Sequence, residues 1–224
     1  MELDQHVYSF PLTFDRGDHE TTIHPSGVET DSGLVLLDAG FQGQIEDLES
    51  ALAEHGFELD DVEILILTHQ DGDHVGCAEE LISRTGATTV AHPRDTPAIE
   101  GDEDPIKSSG DRYPPVSVDV QVVEDVVFRT EAGPLRVIET PGHTPGHISL
   151  ALPEIDLLFA GDATVADDDG LAGPNERFTP EMEEAIDSLG KLAELDANQI
   201  LCYHGGFVEG DGADIREIYE SLTE

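Results

Sequence analysis

Within Thr68-His69-Gln70-Asp71-Gly72-Asp73-His74, four side chains can each offer a metal ion a nitrogen or oxygen donor. Imidazole nitrogen and carboxylate oxygen together suit divalent cations such as zinc, manganese and iron. The run follows Ile64-Leu65-Ile66-Leu67, so the donors would emerge where a buried strand ends, and Gly72 would let the backbone turn tightly. The competing reading is a polar strand-to-helix turn in which Asp73 caps the next helix. Three further segments repeat the theme of a strand that ends in a donor. Thr140-Pro141-Gly142-His143-Thr144-Pro145-Gly146-His147 presents imidazoles on Pro-Gly turns, Phe159-Ala160-Gly161-Asp162 delivers a carboxylate, and Leu201-Cys202-Tyr203-His204-Gly205-Gly206 delivers a histidine into a glycine turn. Each is ordinary alone. Together the four segments nominate a metal centre.

The elements that must position them follow from hydrophobic periodicity. Val28 to Leu37 reads as a turn between strands, and Gln44 to His55 as a helix with Ile45, Leu48 and Leu52 on one face, stopped by Gly56. Val62 to Thr68 is a strand, Val75 to Arg84 a helix, and Thr88 to Ala91 a strand, in β-α-β rhythm. Thr96 to Val116 has no period and reads as a long surface loop. Strands follow near Val118 to Val123, Leu135 to Glu139, Ile148 to Leu152, Leu157 to Phe159 and Gln199 to Cys202. A helix is expected at Pro180 to Leu195 with Thr179 as its N-cap, and a last one at Asp214 to Leu222. No repeat or linker divides the chain, so residues 1–224 read as one domain.

Composition limits the company the protein keeps. Its 224 residues carry 50 Asp plus Glu against 10 Lys plus Arg, a formal charge of −40 with 38% hydrophobic residues. The acids therefore decorate a folded body, and at about 1 M salt a Debye length of about 3 Å would screen most of their repulsion. A host with concentrated cytoplasmic salt is the expectation. Nucleic acid and anionic membranes both need a cationic surface, so neither is expected as a partner. The start Met1-Glu2-Leu3-Asp4 lacks signal-peptide features and no stretch approaches a membrane span, which predicts a cytoplasmic protein. Cys77 and Cys202 form neither a disulfide framework nor a zinc-finger spacing and are expected to be reduced packing residues.

The order of these elements, with Asp38-Ala39-Gly40 upstream, resembles the metallo-β-lactamase superfamily over nearly the whole chain. The resemblance implies a four-layer α/β/β/α sandwich, two divalent metal ions with zinc first among candidates, and a metal-bound hydroxide acting on a small ester, thioester or lactone. Carried over by residue, it implies that His69, Asp71 and His143 hold the first metal, that Asp73, His74 and His204 hold the second, and that Asp162 bridges them. Asp73 would also orient water or carry its proton. The family's usual pattern is His-x-His-x-Asp-His, whereas this chain has Asp71 in place of the second histidine. A site with two divalent cations, three aspartates and one hydroxide would be formally neutral rather than singly positive. That should acidify bound water less and shift preference at the first position toward manganese or iron.

The other candidates are read blandly. His147 takes a structural or solvent role, His24 and His92 sit near strand ends, and His6, His19 and His55 lie at the surface. Asp167-Asp168-Asp169-Gly170 lacks the alternating ligands of an EF-hand and reads as a solvated loop. The loop bearing Arg112, Tyr113, Pro114 and Pro115, with the segment after Asp162, would form the pocket for a small-molecule substrate. Two alternatives stand beside hydrolysis: a mononuclear-iron persulfide oxygenase, and a metal-binding domain without turnover.

Overall fold

A computed structural model of the chain describes residues 1–15, 20–108, 112–167, 170–195, 197–209 and 212–223. Two compact units are present. One comprises Met1–Val122 with Arg129–Ala132, the other Val123–Phe128 with Gly133–Glu224.

The first unit contains β1 (Glu2–Asp4), β2 (Val7–Ser9), β3 (Leu12–Asp15), β4 (Glu20–Ile23), β5 (Ser26–Glu29), β6 (Leu34–Leu37), α1 (Ile45–Ala53), β7 (Val62–Ile66), α2 (Gly72–Val75), α3 (Ala78–Thr85), β8 (Thr88–Ala91), α4 (Thr96–Glu100) and β9 (Val120–Gln121). Its main sheet runs β1-β2-β5-β6-β7-β8-β9, while β3 and β4 form a separate hairpin. Strands β6, β7 and β8 are parallel, with Leu37 opposite Ile66 and Ile66 opposite Val90. Their connections are helical because parallel neighbours need a long crossover. The core collects Leu34, Leu36, Leu65, Ile66 and Leu67 from this sheet with Leu48 and Leu52 from α1 and Leu81 from α3, all fully buried.

Several expectations for this unit are corrected. The single helix foreseen over Val75 to Arg84 is divided into α2 and α3. Gly76 lies between them, and a Cβ there would sit 2.2 Å from the Gln42 backbone nitrogen and 2.6 Å from Gly72 O. The chain near Gln42 thus crosses the helical path at contact distance, which no periodicity argument reveals. The tight turn ascribed to Gly72 is also not made there, because Gly72 begins α2 and has no positive φ. Asp73 lies inside α2, and the N-cap position belongs to Asp71, whose side chain makes no capping bond. The loop Thr96 to Val116 is more structured than its sequence suggests. Its first five residues form α4, Tyr113 and Val116 are buried, and residues 109–111 fall outside the described set.

The second unit contains β10 (Val127–Thr130, which runs into the stretch grouped with the first unit), β11 (Gly133–Glu139), β12 (Ile148–Leu152), β13 (Leu157–Gly161), β14 (Val165–Asp167), β15 (Gly170–Ala172), α5 (Met182–Ala193), β16 (Gln199–Cys202), β17 (Gly206–Glu209) and α6 (Gly212–Thr223). The sheet runs β10-β11-β12-β13-β16-β17, and β14 pairs with β15. Strands β13 and β16 are parallel, with Phe159 opposite Leu201 and Gly161 opposite Cys202. Its core joins Ile138, Leu158, Ala160, Ile200 and Cys202 to Leu189 and Leu192 of α5 and Ile215 of α6. Helix α5 starts at Met182 with Glu181 as N-cap, so the expected Thr179 cap is corrected. Glu181 N–H donates to Gly142 O at 3.2 Å, which ties the helix start to the Pro-Gly turn. Strands β10, β14, β15 and β17 were not foreseen, since they are short and mostly half-exposed. Asp168 and Asp169 of the predicted solvated loop lie outside the described residues, as does His19.

Both cysteines are free and buried. Cys77 Sγ–H donates to Phe41 O at 2.8 Å, and burial raises its thiol pKa. Burial pushes the Cys202 thiol up to about 12. Neither is a ready nucleophile at neutral pH.

Candidate metal centre

In the first unit the donors stand where β6 and β7 end side by side. Parallel sheets gather functional groups at the carboxyl ends of their strands, and the register Leu37 to Ile66 brings Asp38 beside Thr68. Asp38 has φ +62, a left-handed conformation that Asp tolerates better than most residues, and it is buried. Its Oδ1 accepts the Thr68 backbone N–H at 2.8 Å. Its Oδ2 accepts the Thr68 hydroxyl at 2.7 Å and His74 Nδ1 at 2.8 Å.

This geometry sets the protons. Asp38 Oδ2 is an acceptor, so the 2.8 Å contact has His74 donate from Nδ1 and leaves Nε2 as the atom for coordination. The Thr68 hydroxyl gives its proton to Asp38, and its oxygen lies 3.1 Å from His69 Nδ1, so His69 donates there and also keeps its lone pair on Nε2. One buried carboxylate thereby orients two imidazoles, whose rings pack 3.9 Å apart. An outer carboxylate bonded to a ligating histidine is the usual way a metal site fixes ring orientation. Asp71 Oδ2 lies 3.4 Å from His69 Nε2 and 2.7 Å from Lys107 Nζ. Asp73 is half-buried in the first turn of α2, directly before His74.

The loop is braced from outside. Gln70 N–H and Nε2 both donate to the Asp95 carboxylate, at 3.0 and 2.8 Å. Gln70 Oε1 accepts Ile106 N–H at 2.8 Å, and Gln70 O accepts the Tyr113 hydroxyl at 2.8 Å. Arg112 spends its guanidinium on Ala98 O and Glu103 O, so both it and Tyr113 brace the segment. Burial raises the Tyr113 phenol pKa, which keeps it a neutral donor.

In the second unit Asp162 follows β13 and His204 follows β16, adjacent parallel strands, while His143 sits on the turn joining β11 to β12. Asp162 Oδ2 lies 3.2 Å from His143 Nε2 and 3.5 Å from His204 Nε2. His147, read as structural or solvated from sequence, is buried and holds this arrangement. Its Nε2 accepts the Asp162 backbone N–H at 2.9 Å, and its Nδ1 donates to Thr140 Oγ1 at 2.8 Å. Thr140 passes to Ser149 Oγ at 2.9 Å, and Ser149 donates to Ala160 O at 2.9 Å, which completes the chain. Gly161 (φ +58) makes the approach possible, since a Cβ there would lie 2.7 Å from His147 Nε2.

Each unit thus brings its own predicted donors together: His69, Asp71, Asp73 and His74 in one, His143, Asp162 and His204 in the other. The buried, oriented imidazoles of His69 and His74, and the imidazoles of His143 and His204 beside the Asp162 carboxylate, fit a divalent cation by donor chemistry. His6, His24, His55 and His92 bond elsewhere in the first unit, to Glu29, Ser9, the Met1 amine and Arg94 N–H. Sequence reading missed the roles of Asp38 and His147, and the available signal was position: each lies next to the end of an apolar strand that borders a donor segment.

Residues 27–204 match the family model described as the metallo-beta-lactamase superfamily. The chain is 32% identical over 223 residues to "Probable metallo-hydrolase YflN" of Bacillus subtilis (strain 168), covering 85% of this chain and 83% of that one. It is 31% identical over 180 residues to a hydroxyacylglutathione hydrolase of Cereibacter sphaeroides, covering 80% of this chain but only 59% of that enzyme. Among solved structures, a metallo-beta-lactamase family protein of Thermus thermophilus superposes with TM-score 0.78 at 23% identity over 98% of this chain and 79% of that one. A metallo-beta-lactamase from Pontibacter korlensis gives TM-score 0.78 at 20% identity over 100% and 98%. At these identities the two structures speak to the fold alone.

Proposed function

The chain belongs to the metallo-beta-lactamase superfamily and is a metallo-hydrolase of that fold, and from this premise we propose that it cleaves a small ester, thioester or lactone, thioesters first. The observation that supports the reading is the Asp38–Thr68–His69/His74 network, which orients two neighbouring imidazoles in the way an outer carboxylate does behind metal-ligating histidines. The preference for thioesters rests on the hydroxyacylglutathione hydrolase relative, of which this chain spans 59%.

We assign His69, His143 and Asp162 to one cation and Asp73, His74 and His204 to a second. Asp71 belongs beside the first, and Asp162 is shared. Zinc is the proposed occupant, with manganese or iron at the position bearing Asp71. A divalent cation supplies Lewis acidity toward the substrate oxygen and lowers the pKa of water. The chain's own residues do the rest. Asp38 and Thr68 hold His69 and His74 in register, His147 holds Asp162, and Asp73 orients water and takes its proton.

The test is a panel of a thioester, a lactone and a phosphodiester offered to metal-loaded protein. Cleavage of the thioester or lactone, abolished by a chelator, is expected. Turnover of the phosphodiester alone would contradict the reading.

The charge of −40 supports a cytoplasmic protein of a salt-rich cell that engages small molecules rather than nucleic acid. Among the described residues no helix is long and apolar enough to cross a membrane. The expected consequence is a thermal midpoint that rises between low and molar KCl, and a midpoint that stays level or falls would remove the salt argument.

A further inference from the structure

The sequence contains just two lysines, Lys107 and Lys191. Lys191 is half-exposed, donating to Glu139 O at 2.9 Å. Lys107 stands in the candidate metal centre, its ammonium 2.7 Å from Asp71 Oδ2, with the two side chains 24% and 15% exposed. Its place is built rather than incidental. The preceding residue, Ile106, gives its N–H to Gln70 Oε1, and Gln70 itself sits between His69 and Asp71 under the two bonds to Asp95. The same bracing that fixes the donor loop therefore fixes the lysine. Asp71 is also the residue that departs from the family's histidine, and it brings a negative charge that the ammonium offsets.

We propose that Lys107 is a positioning residue whose ammonium claims the Asp71 carboxylate, so that a cation at His69 meets a built-in competitor and binds more weakly than a cation at His74. This rests on the metal-centre reading above and specifies how its two positions differ. The carboxylate oxygen 3.4 Å from His69 Nε2 is the same oxygen the ammonium holds. A cation approaching His69 must share it with, and be repelled by, a positive charge within a few ångströms. At His74 the Asp38 carboxylate, which reaches His69 only through Thr68, bonds the ring directly at 2.8 Å, and a negative charge so placed attracts a cation.

The experiment adds zinc, and separately manganese, to metal-free full-length protein in a calorimeter. Wild type is expected to bind one cation tightly and a second weakly. Lys107→Met should tighten the weak event by roughly tenfold, since a nearby positive charge is gone, and leave the tight one unchanged. Lys107→Arg keeps the charge and should behave as wild type. Lys191→Met removes the same charge elsewhere and should also leave both events unchanged. The proposal is overturned if Lys107→Met leaves the weak event as it was or weakens it, or if Lys191→Met tightens it equally. If wild type binds no cation, the metal-centre reading falls and this proposal with it. If wild type binds two and only the variants fail to differ, this proposal falls alone.

Discussion

Asp73→Asn is expected to lower kcat/KM by about 10³-fold, the scale of a lost general base, while the protein stays folded. Asp73 lies in the first turn of α2, half-buried, in direct sequence with His74. Asparagine has nearly the same shape, so α2 keeps its packing, and its bonds from His74 N–H and Val75 N–H to Asp71 O are made by backbone. What is lost is the negative oxygen that would help hold the second cation, orient water and accept its proton. Steady-state kinetics with a thermal melt separates the two effects. Unchanged kcat/KM with an unchanged midpoint would remove Asp73 from its assigned role.

Asp38→Asn is expected to weaken cation binding by 10- to 100-fold, the range for losing an outer carboxylate behind a ligating histidine. Asparagine tolerates the left-handed φ of +62, and its Oδ1 can still accept Thr68 N–H. Its amide NH2 then faces the Thr68 hydroxyl and His74 Nδ1 in place of an acceptor. To meet that donor, His74 must move its proton to Nε2, where it blocks coordination. Competition with a chromophoric chelator measures the loss. Wild-type affinity in the variant would show that Asp38 serves the fold and not the ligands.

The parts legible in the sequence were those written in local pattern. Ile64-Leu65-Ile66-Leu67, Ile148 to Leu152 and Leu157 to Phe159 are apolar runs too short for helices, and each became a buried strand whose end carries or borders a donor. The parts that were not legible depend on partners distant in the chain. The break between α2 and α3 is imposed by the backbone near Gln42, and Asp38 meets His74 from 36 residues away. The order in Thr96 to Val116 comes from Gln70 and Asp95, whose own residue types suggest nothing more than a polar turn. Lys107 was invisible for the same reason: in sequence it is one cation in an unpatterned loop, and the fold pairs it with Asp71.

The central claim is that the His69–His74 set and the His143–Asp162–His204 set serve the same cations. Anomalous diffraction from crystals of metal-loaded protein tests it most directly. The account predicts one cation bound by His69 and His143 and another by His74 and His204, with metal–nitrogen distances of about 2.0–2.1 Å for zinc. Cations found on one set alone, or only among acidic side chains of the surface, would contradict it.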